Sequence, residues 1–320
     1  MKIAVLTSGG DAPGMNAAIR AVVRYADYYD IEVYGVERGY AGLIAGNLSI
    51  MSRRSVSDII QRGGTKLRTA RSAEFETYEG QKQAAKVLSF YGIDGLVVIG
   101  GDGSFRGLQA ISKNFGVKGV GIPGTIDNDL SYTDYTLGFD TAVNTCVSAI
   151  NNLRDTMSSH DRVVVVQVMG RRCGDLALYS ALSGGAEVVM VPEHKTDYDQ
   201  ISRKLKRNVE KGKQSGIIVL AEGASPLDEV VSELKARTGL SFRSIVLGHI
   251  QRGGAPSMAD RVLATRMGAK AVDLLRDGMV GARVVGIKDN AIIDMDIEDA
   301  LNVPRHIDEA LYELANIVSR

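Results

Sequence analysis

The stretch that decides the fold is Lys2-Ile3-Ala4-Val5-Leu6-Thr7-Ser8-Gly9-Gly10-Asp11-Ala12-Pro13-Gly14. An unbroken apolar run, Ile3 to Leu6, stops abruptly in a polar turn rich in glycine. Such a run, continuous rather than alternating, is the pattern of a parallel strand buried on both faces. It is too short to be the core of a signal peptide. Working outward, runs of the same kind recur at 33–36, 96–99, 163–168, 188–191, 217–221, 245–247 and 284–287. Between them the segments 16–28, 81–91, 141–157, 199–211, 227–237 and 260–275 space their apolar residues as helices do. Alternation of strand and helix along the whole chain predicts an α/β architecture with parallel sheets.

The chain has 320 residues, room for about two domains at roughly 150 residues each. Lys and Arg number 38 against 38 Asp and Glu, which excludes a broad basic grip on nucleic acid or an anionic membrane. No apolar run reaches the ~18 residues of a membrane span. Cys146 and Cys173 are the only cysteines, and their spacing suggests neither zinc nor a redox pair, so a reduced, cytoplasmic setting is expected. Glycine is abundant, at 36 residues, and the glycines cluster.

Three runs end in glycine beside aspartate: Ser8-Gly9-Gly10-Asp11, Gly100-Gly101-Asp102-Gly103-Ser104 and Pro123-Gly124-Thr125-Ile126-Asp127-Asn128-Asp129. In open α/β sheets ligands bind at the carboxyl ends of strands. Glycine lets backbone N–H groups approach phosphate oxygens, and a following helix adds its positive end. The aspartates cannot bind phosphate themselves but can hold the Mg²⁺ that neutralises it. One such loop would be read as a tight turn; three favour a phosphate site. Arginines supply the other half, in Arg62-Gly63-Gly64-Thr65 with Arg68 and Arg71, in Met169-Gly170-Arg171-Arg172, and in His249-Ile250-Gln251-Arg252-Gly253-Gly254. Common fingerprints are absent. Arg106 stands where a dinucleotide motif needs glycine, there is no Walker A sequence and no His-Arg-Asp triplet, and Tyr132 occupies the glycine position of a calcium loop begun at Asp127.

Leu6–Asn16, Gly100–Ser104, Pro123–Asp129, Met169-Gly170-Arg171, Ala221-Glu222-Gly223 and Gly248–Gly254 together resemble the bacterial ATP-dependent 6-phosphofructokinase family, in its order and spacing, from Ile3 to about Ile287. The resemblance implies a phosphofructokinase fold of two similar three-layer α/β domains with mostly parallel sheets. The larger, ATP-binding domain would be 1–138 plus 251–301, and the smaller, sugar-phosphate-binding domain 139–250 plus 302–320. It implies transfer of the γ-phosphoryl group of ATP to the 1-hydroxyl of fructose 6-phosphate, with Mg²⁺, in glycolysis, by a homotetramer.

Carried over residue by residue, Asp127 resembles the general base and Asp129 its neighbour and a substrate contact. Thr125 and Arg171 resemble the groups that stabilise the transferring phosphoryl, and Asp102 the Mg²⁺-linked carboxylate. Gly10, Tyr40, Arg71, Ser72, Gly101, Gly103 and Ser104 fall on ATP positions. Met169, Gly170, Glu222, His249 and Arg252 fall on sugar-phosphate positions, and Arg162 and Arg243 match arginines that reach the substrate from a neighbouring subunit. By themselves Met169 and Cys173 would read as core, and His249 as a hydrogen-bonded core histidine; its setting before Gln251-Arg252-Gly253-Gly254 favours a ligand role.

Arg20 and Arg24, four apart, share a helix face. With Arg53, Asp58, Arg154, Gly185, Glu187, Lys211 and Lys213 they match the family's effector site for ADP or phosphoenolpyruvate. Ser215 departs from the histidine of several members. Pyrophosphate-dependent relatives usually carry Asp and Lys where this chain has Gly103 and Gly124, so ATP is the expected donor. The alternatives are a pyrophosphate-dependent enzyme, an α/β oxidoreductase and an inactive nucleotide sensor.

Overall fold

A computed structural model describes residues 1–160, 162–213 and 215–319. In chain order the elements are β1 (Lys2–Thr7), α1 (Met15–Tyr28), β2 (Glu32–Val36), α2 (Gly39–Ala45), β3 (Leu48–Met51), α3 (Tyr78–Tyr91), β4 (Gly95–Gly100), α4 (Asp102–Phe115), β5 (Gly119–Pro123) and α5 (Phe139–Ser158). There follow β6 (Val163–Val168), α6 (Asp175–Ser183), β7 (Val188–Met190), α7 (Tyr198–Glu210), β8 (Gly216–Ala221), α8 (Leu227–Thr238), β9 (Phe242–Val246), α9 (Met258–Arg276), β10 (Ala282–Lys288), β11 (Ala291–Asp296), α10 (Ile297–Leu301) and α11 (Glu309–Val318).

The chain divides into two compact units. One comprises Met1–Ile126, Leu130–Thr141 and Arg252–Pro304; the other comprises Asp127–Asp129, Ala142–Gln251 and Arg305–Arg320. Residues 127–129 and 251, expected in the first domain, group with the second, and 139–141 and 302–304, expected in the second, group with the first.

The first unit holds a seven-stranded sheet in the order β11-β10-β5-β4-β1-β2-β3. β2, β1, β4, β5 and β10 run parallel, with β3 and β11 as antiparallel edges. Every residue of β4 and β5 is buried, as strands covered on both faces require. Phe105, Leu108 and Ile111 of α4 pack with Leu6, Leu96 and Val98 in one apolar cluster. Each such fully buried side chain contributes roughly 1.5–3 kcal/mol. α1 and α9 pack against each other so closely that a Cβ on Gly268 would lie 2.7 Å from that of Ala21. Asp260, in the first turn of α9, accepts the backbone N–H of Gly138 and of Thr141 at 2.8 and 2.9 Å. Burial raises its carboxyl above the usual range, and these hydrogen bonds oppose the rise.

The second unit holds a four-stranded, wholly parallel sheet in the order β7-β8-β6-β9. Val163, Val165, Ile218 and Leu220 meet Val230 and Leu234 of α8 in its core. β9 is an edge strand, and Arg243, Ser244 and Val246 on it are exposed.

The expected strand at 245–247 begins three residues earlier, at Phe242. β3, β5 and β11 escaped the sequence pattern, as did α2, α4, α6, α10 and α11. Among the described residues no helix is long and apolar enough to cross a membrane.

Candidate active site

β5, β4 and β1 are parallel neighbours, so their carboxyl ends lie side by side. The ladder continues into the loops beyond them. Ser8 N–H donates to the carbonyl of Ile99 at 3.0 Å, and Gly124 N–H to that of Gly100 at 2.9 Å. Gly100 must be glycine: a Cβ there would sit 2.5 Å from both Ser104 Oγ and the carbonyl of Ser8. A Cβ on Gly101 would lie 3.6 Å from that of Thr125, which sets the second and third loops against each other. At Gly103, in the first turn of α4, a Cβ would meet nothing within 4 Å. That turn therefore presents free space beside a positive helix end.

Asp102 opens α4, where its half-exposed carboxylate takes the guanidinium of Arg106 at 2.8 and 3.0 Å. No group of three or more His, Cys, Asp or Glu able to hold a metal occurs among the described residues. One oxygen donor beside a glycine loop and a helix N-terminus is nevertheless enough for an Mg²⁺ that arrives on phosphates, since it commonly uses one or two carboxylates. The residues present fit that ion.

Tyr40 lies behind this loop rather than lining it. It is buried, stacks on Phe75 at 3.9 Å, and donates to the carbonyl of Ser104 at 2.6 Å. Burial pushes its phenol far above the ordinary value. Ser72 accepts the N–H of Phe75 at 3.2 Å, and Arg71 is exposed. The segment before them is tied to β1: Thr7 Oγ1 donates to the carbonyl of Arg68 at 2.8 Å, and Thr69 Oγ1 to that of Gly9 at 2.7 Å. Arg252, expected among sugar-phosphate groups, falls in the first unit, against Gly10; a Cβ there would be 2.9 Å from its Nη1.

In the second unit, Asp127, Asn128 and Asp129 are half-buried, with Asn128 in the left-handed region at φ 54°. Two contacts help to fix this tripeptide. The Cys173 thiol donates to the carbonyl of Asp127 at 2.7 Å, and Asn128 Nδ2 donates to Asp175 Oδ2 at 3.0 Å. Asp175 in turn meets Arg305 at 3.4 Å, and Arg305 reaches Glu193 at 3.0 Å. Burial raises the Asp175 carboxyl, while Asn128 and Arg305 pull it down. Burial also drives the Cys173 thiol far upward, which makes it a structural donor and not a nucleophile.

Gly170 (φ 118°) and Gly223 hold the Arg171 loop in place: a Cβ on Gly223 would stand 1.9 Å from the carbonyl of Arg171. Arg171 and Glu222 are exposed, as is His249, which is no core residue. The N–H of Met169 donates to Gln251 Oε1 at 3.1 Å, and Gln251 Nε2 donates to the carbonyl of Gly248 at 2.8 Å. Gln251 is fully buried and also accepts the Cys146 thiol at 3.3 Å. Arg162 directly precedes β6, and Arg243 stands on its neighbour β9.

Of the residues matched to the effector site, the first unit carries Arg20, Arg24, Arg53 and Asp58. Burial and the neighbouring Arg24 hold the Arg20 guanidinium below its ordinary value. Arg53 pairs with Asp27 at 3.4 Å. The second unit brings Arg154, Gly185, Glu187 and Lys213 together. Glu187 is 1% exposed, accepts the N–H of Ile217 at 2.5 Å, and pairs with Lys213 and with Arg154, the latter at 3.8 Å. Arg154 also donates to the carbonyls of Gly184 and Gly185 at 2.7 Å each. Lys211 caps the end of α7.

Sequence reasoning missed Gln251, Asp175, Glu193 and Arg305. Gln251 alone left a signal, its place between His249 and Arg252.

A family model described as phosphofructokinase matches residues 2–275. ATP-dependent 6-phosphofructokinase 1 of Clostridium perfringens is 58% identical over 319 residues, covering 100% of this chain and 99% of its own. The ATP-dependent 6-phosphofructokinase of Clostridium tetani is 58% identical over 318 residues, covering 99% of each. Among solved structures, phosphofructokinase from Saccharomyces cerevisiae superposes with a TM-score of 0.90 at 35% identity, over 99% of this chain and 48% of the yeast chain. A pyrophosphate-dependent phosphofructokinase from Marinobacter aquaeolei shares the fold at a TM-score of 0.84 and 20% identity, over 94% of this chain and 84% of its own.

Proposed function

The chain belongs to the phosphofructokinase family, and from that premise we propose how its own residues carry out the reaction. The protein transfers the γ-phosphoryl group of ATP to fructose 6-phosphate, with ATP and not pyrophosphate as donor. Its first unit takes the nucleotide, and its second carries most of the sugar-phosphate residues. The observation that carries the first assignment is the adjacency of the three glycine loops at the carboxyl ends of β5, β4 and β1. Their N–H groups and the N-terminus of α4 cradle phosphate oxygens, and the free space beside Gly103 leaves room for the nucleotide.

The Asp127 carboxylate takes the proton of the sugar 1-hydroxyl as that oxygen attacks the γ-phosphorus. The bond from that phosphorus to the β–γ bridging oxygen breaks, and ADP leaves with the electron pair. Thr125 and Arg171 hold the charge that spreads over the phosphoryl oxygens. Asp129 contacts the sugar. Asp102 would hold the Mg²⁺ that comes with the nucleotide, an ion that neutralises phosphate charge.

Met169, Glu222, His249 and Arg252 bind the sugar phosphate, joined by Arg162 and Arg243 from a neighbouring subunit of a homotetramer. The exposed edge strand β9, which carries Arg243 and exposed Val246, supports that arrangement. Arg20, crowded by Arg24, and the Arg154–Glu187–Lys213 cluster suit an anionic effector, ADP or phosphoenolpyruvate. We place the enzyme in the cytoplasm.

A coupled assay of fructose 1,6-bisphosphate formation, run with ATP and with pyrophosphate, tests the donor. Turnover with ATP at least about a hundredfold above that with pyrophosphate is expected, an effect of about 2.7 kcal/mol. Comparable turnover with pyrophosphate would overturn the assignment.

A further inference from the structure

The second unit contains a cavity of about 730 Å³ that uses none of the residues assigned above. Its floor is β7, one wall is α7, and the other is formed by Tyr312 and Asn316 of α11. The volume lies in the range of small-molecule sites, about 300–1,000 Å³.

Charge singles this cavity out. Lys195, Arg203, Lys204 and Arg207 all line it, with Asp197 the only acid among the lining residues. Asp197 is already engaged, because it accepts the N–H of Gln200 at 2.9 Å as the cap of α7. Arg203 and Arg207 are one helical turn apart and share a face. Two helix cations elsewhere, Arg106 and Arg237, are matched within a turn, by Asp102 and Glu233. Here the nearby salt bridges, His194–Glu309 and Arg237–Asp199, leave Lys195, Arg203 and Arg207 without a carboxylate among the described residues. Uncompensated cations gathered around one concavity repel each other, and an anion placed among them removes that repulsion.

The wall opposite α7 is of a different kind. His194 and Tyr312 stack at 4.3 Å between ring centroids and 19° between planes, and Val188 to Val191 make the base apolar. A planar or ring-bearing body fits that surface, and arginines grip phosphate or carboxylate oxygens in bidentate fashion.

We propose that this cavity is a binding site for a small organic anion, whose ring lies against Tyr312 and whose phosphate or carboxylate is held by Arg203, Arg207 and Lys195. The probes are phenyl phosphate and benzoate, one for each head group. They are titrated calorimetrically into the enzyme saturated with fructose 6-phosphate and ADP. One saturable site per chain is expected for at least one probe, and the better probe identifies the head group. The double variant Arg203→Glu/Arg207→Glu should weaken that binding at least tenfold, with kcat and both KM values within twofold of the parent. Arg203→Gln/Arg207→Gln, which removes charge without reversing it, gives the same loss in smaller degree and serves if the first variant folds poorly. Because parent and variant are compared at the same cavity, the result stands even if the saturating ligands do not bind as assigned above. The proposal is overturned if neither probe saturates, if binding persists undiminished in both variants, or if sedimentation shows that the variants lose binding through an altered oligomeric state.

Discussion

Two glycines three residues apart do different work. Gly100 leaves no room for a side chain, because Ser104 Oγ and the Ser8 carbonyl occupy its Cβ position; Gly103 has open space there. Gly103→Asp should therefore fold normally yet place a carboxylate where nucleotide phosphates belong. Its kcat/KM for ATP is expected to fall at least about a hundredfold, some 2.7 kcal/mol, with an unchanged unfolding midpoint. Retention of ATP turnover would remove Gly103 from the nucleotide site.

Asp175 is the residue-scale surprise. It holds Asn128, next to Asp127, the proposed base, through a contact that spans 47 positions in sequence. Asp175→Ala should lower kcat at least tenfold while leaving KM for ATP within twofold, because it removes the contact that anchors Asn128 as well as the Arg305 pair, both in the second unit; an unchanged kcat would refute that linkage. The glycine loops were legible because their pattern is local. Asp175, Glu193 and Arg305 were not, because nothing about an isolated carboxylate announces a partner in the tail.

At the scale of elements, continuous apolar runs located β1, β4, β6 and β8 well. β5 escaped because Gly119, Gly121 and Pro123 break its pattern. Those glycines exist for packing: a Cβ on Gly119 or Gly121 would strike Leu108 at 2.4 Å or Phe105 at 2.6 Å, both on α4. α4 was hidden in turn by Gly103 and Gly107. Gly107 makes way for the Tyr40 ring, which a Cβ would meet at 2.9 Å. The helix that follows the second glycine loop is thus written in residues that ordinarily argue against a helix.

The same close packing makes the sign of one substitution diagnostic. In an exposed helix, glycine to alanine gains roughly 0.8–1.0 kcal/mol. Gly268→Ala presses α9 into Ala21 and Ala18 of α1, and should instead lose about 1–3 kcal/mol in denaturant unfolding. A stabilised variant would show that α1 and α9 separate at little cost.

At the scale of the whole molecule, the chain crosses between its two units repeatedly, and the last segment returns to the second, bringing Arg305 to Asp175. Composition gave no sign of this. The edge strand β9 leaves Val246 58% exposed, and Ile250 just beyond it 60% exposed. If Arg243 serves a neighbour's site, two inactive variants should complement each other. Arg243→Ser and Asp127→Ser, dissociated together and reassociated, should recover a substantial fraction of parental activity that neither regains alone. No recovery in verified mixed oligomers would confine each site to one chain.

The central claim is that Asp127 removes the proton from the sugar hydroxyl as it attacks ATP. Asp127→Ser keeps a small polar side chain but no base. Its kcat should fall by about a thousandfold, within the span of general-base effects, while its fructose 6-phosphate affinity stays within a few-fold of the parent. Turnover near the parental rate would contradict the account.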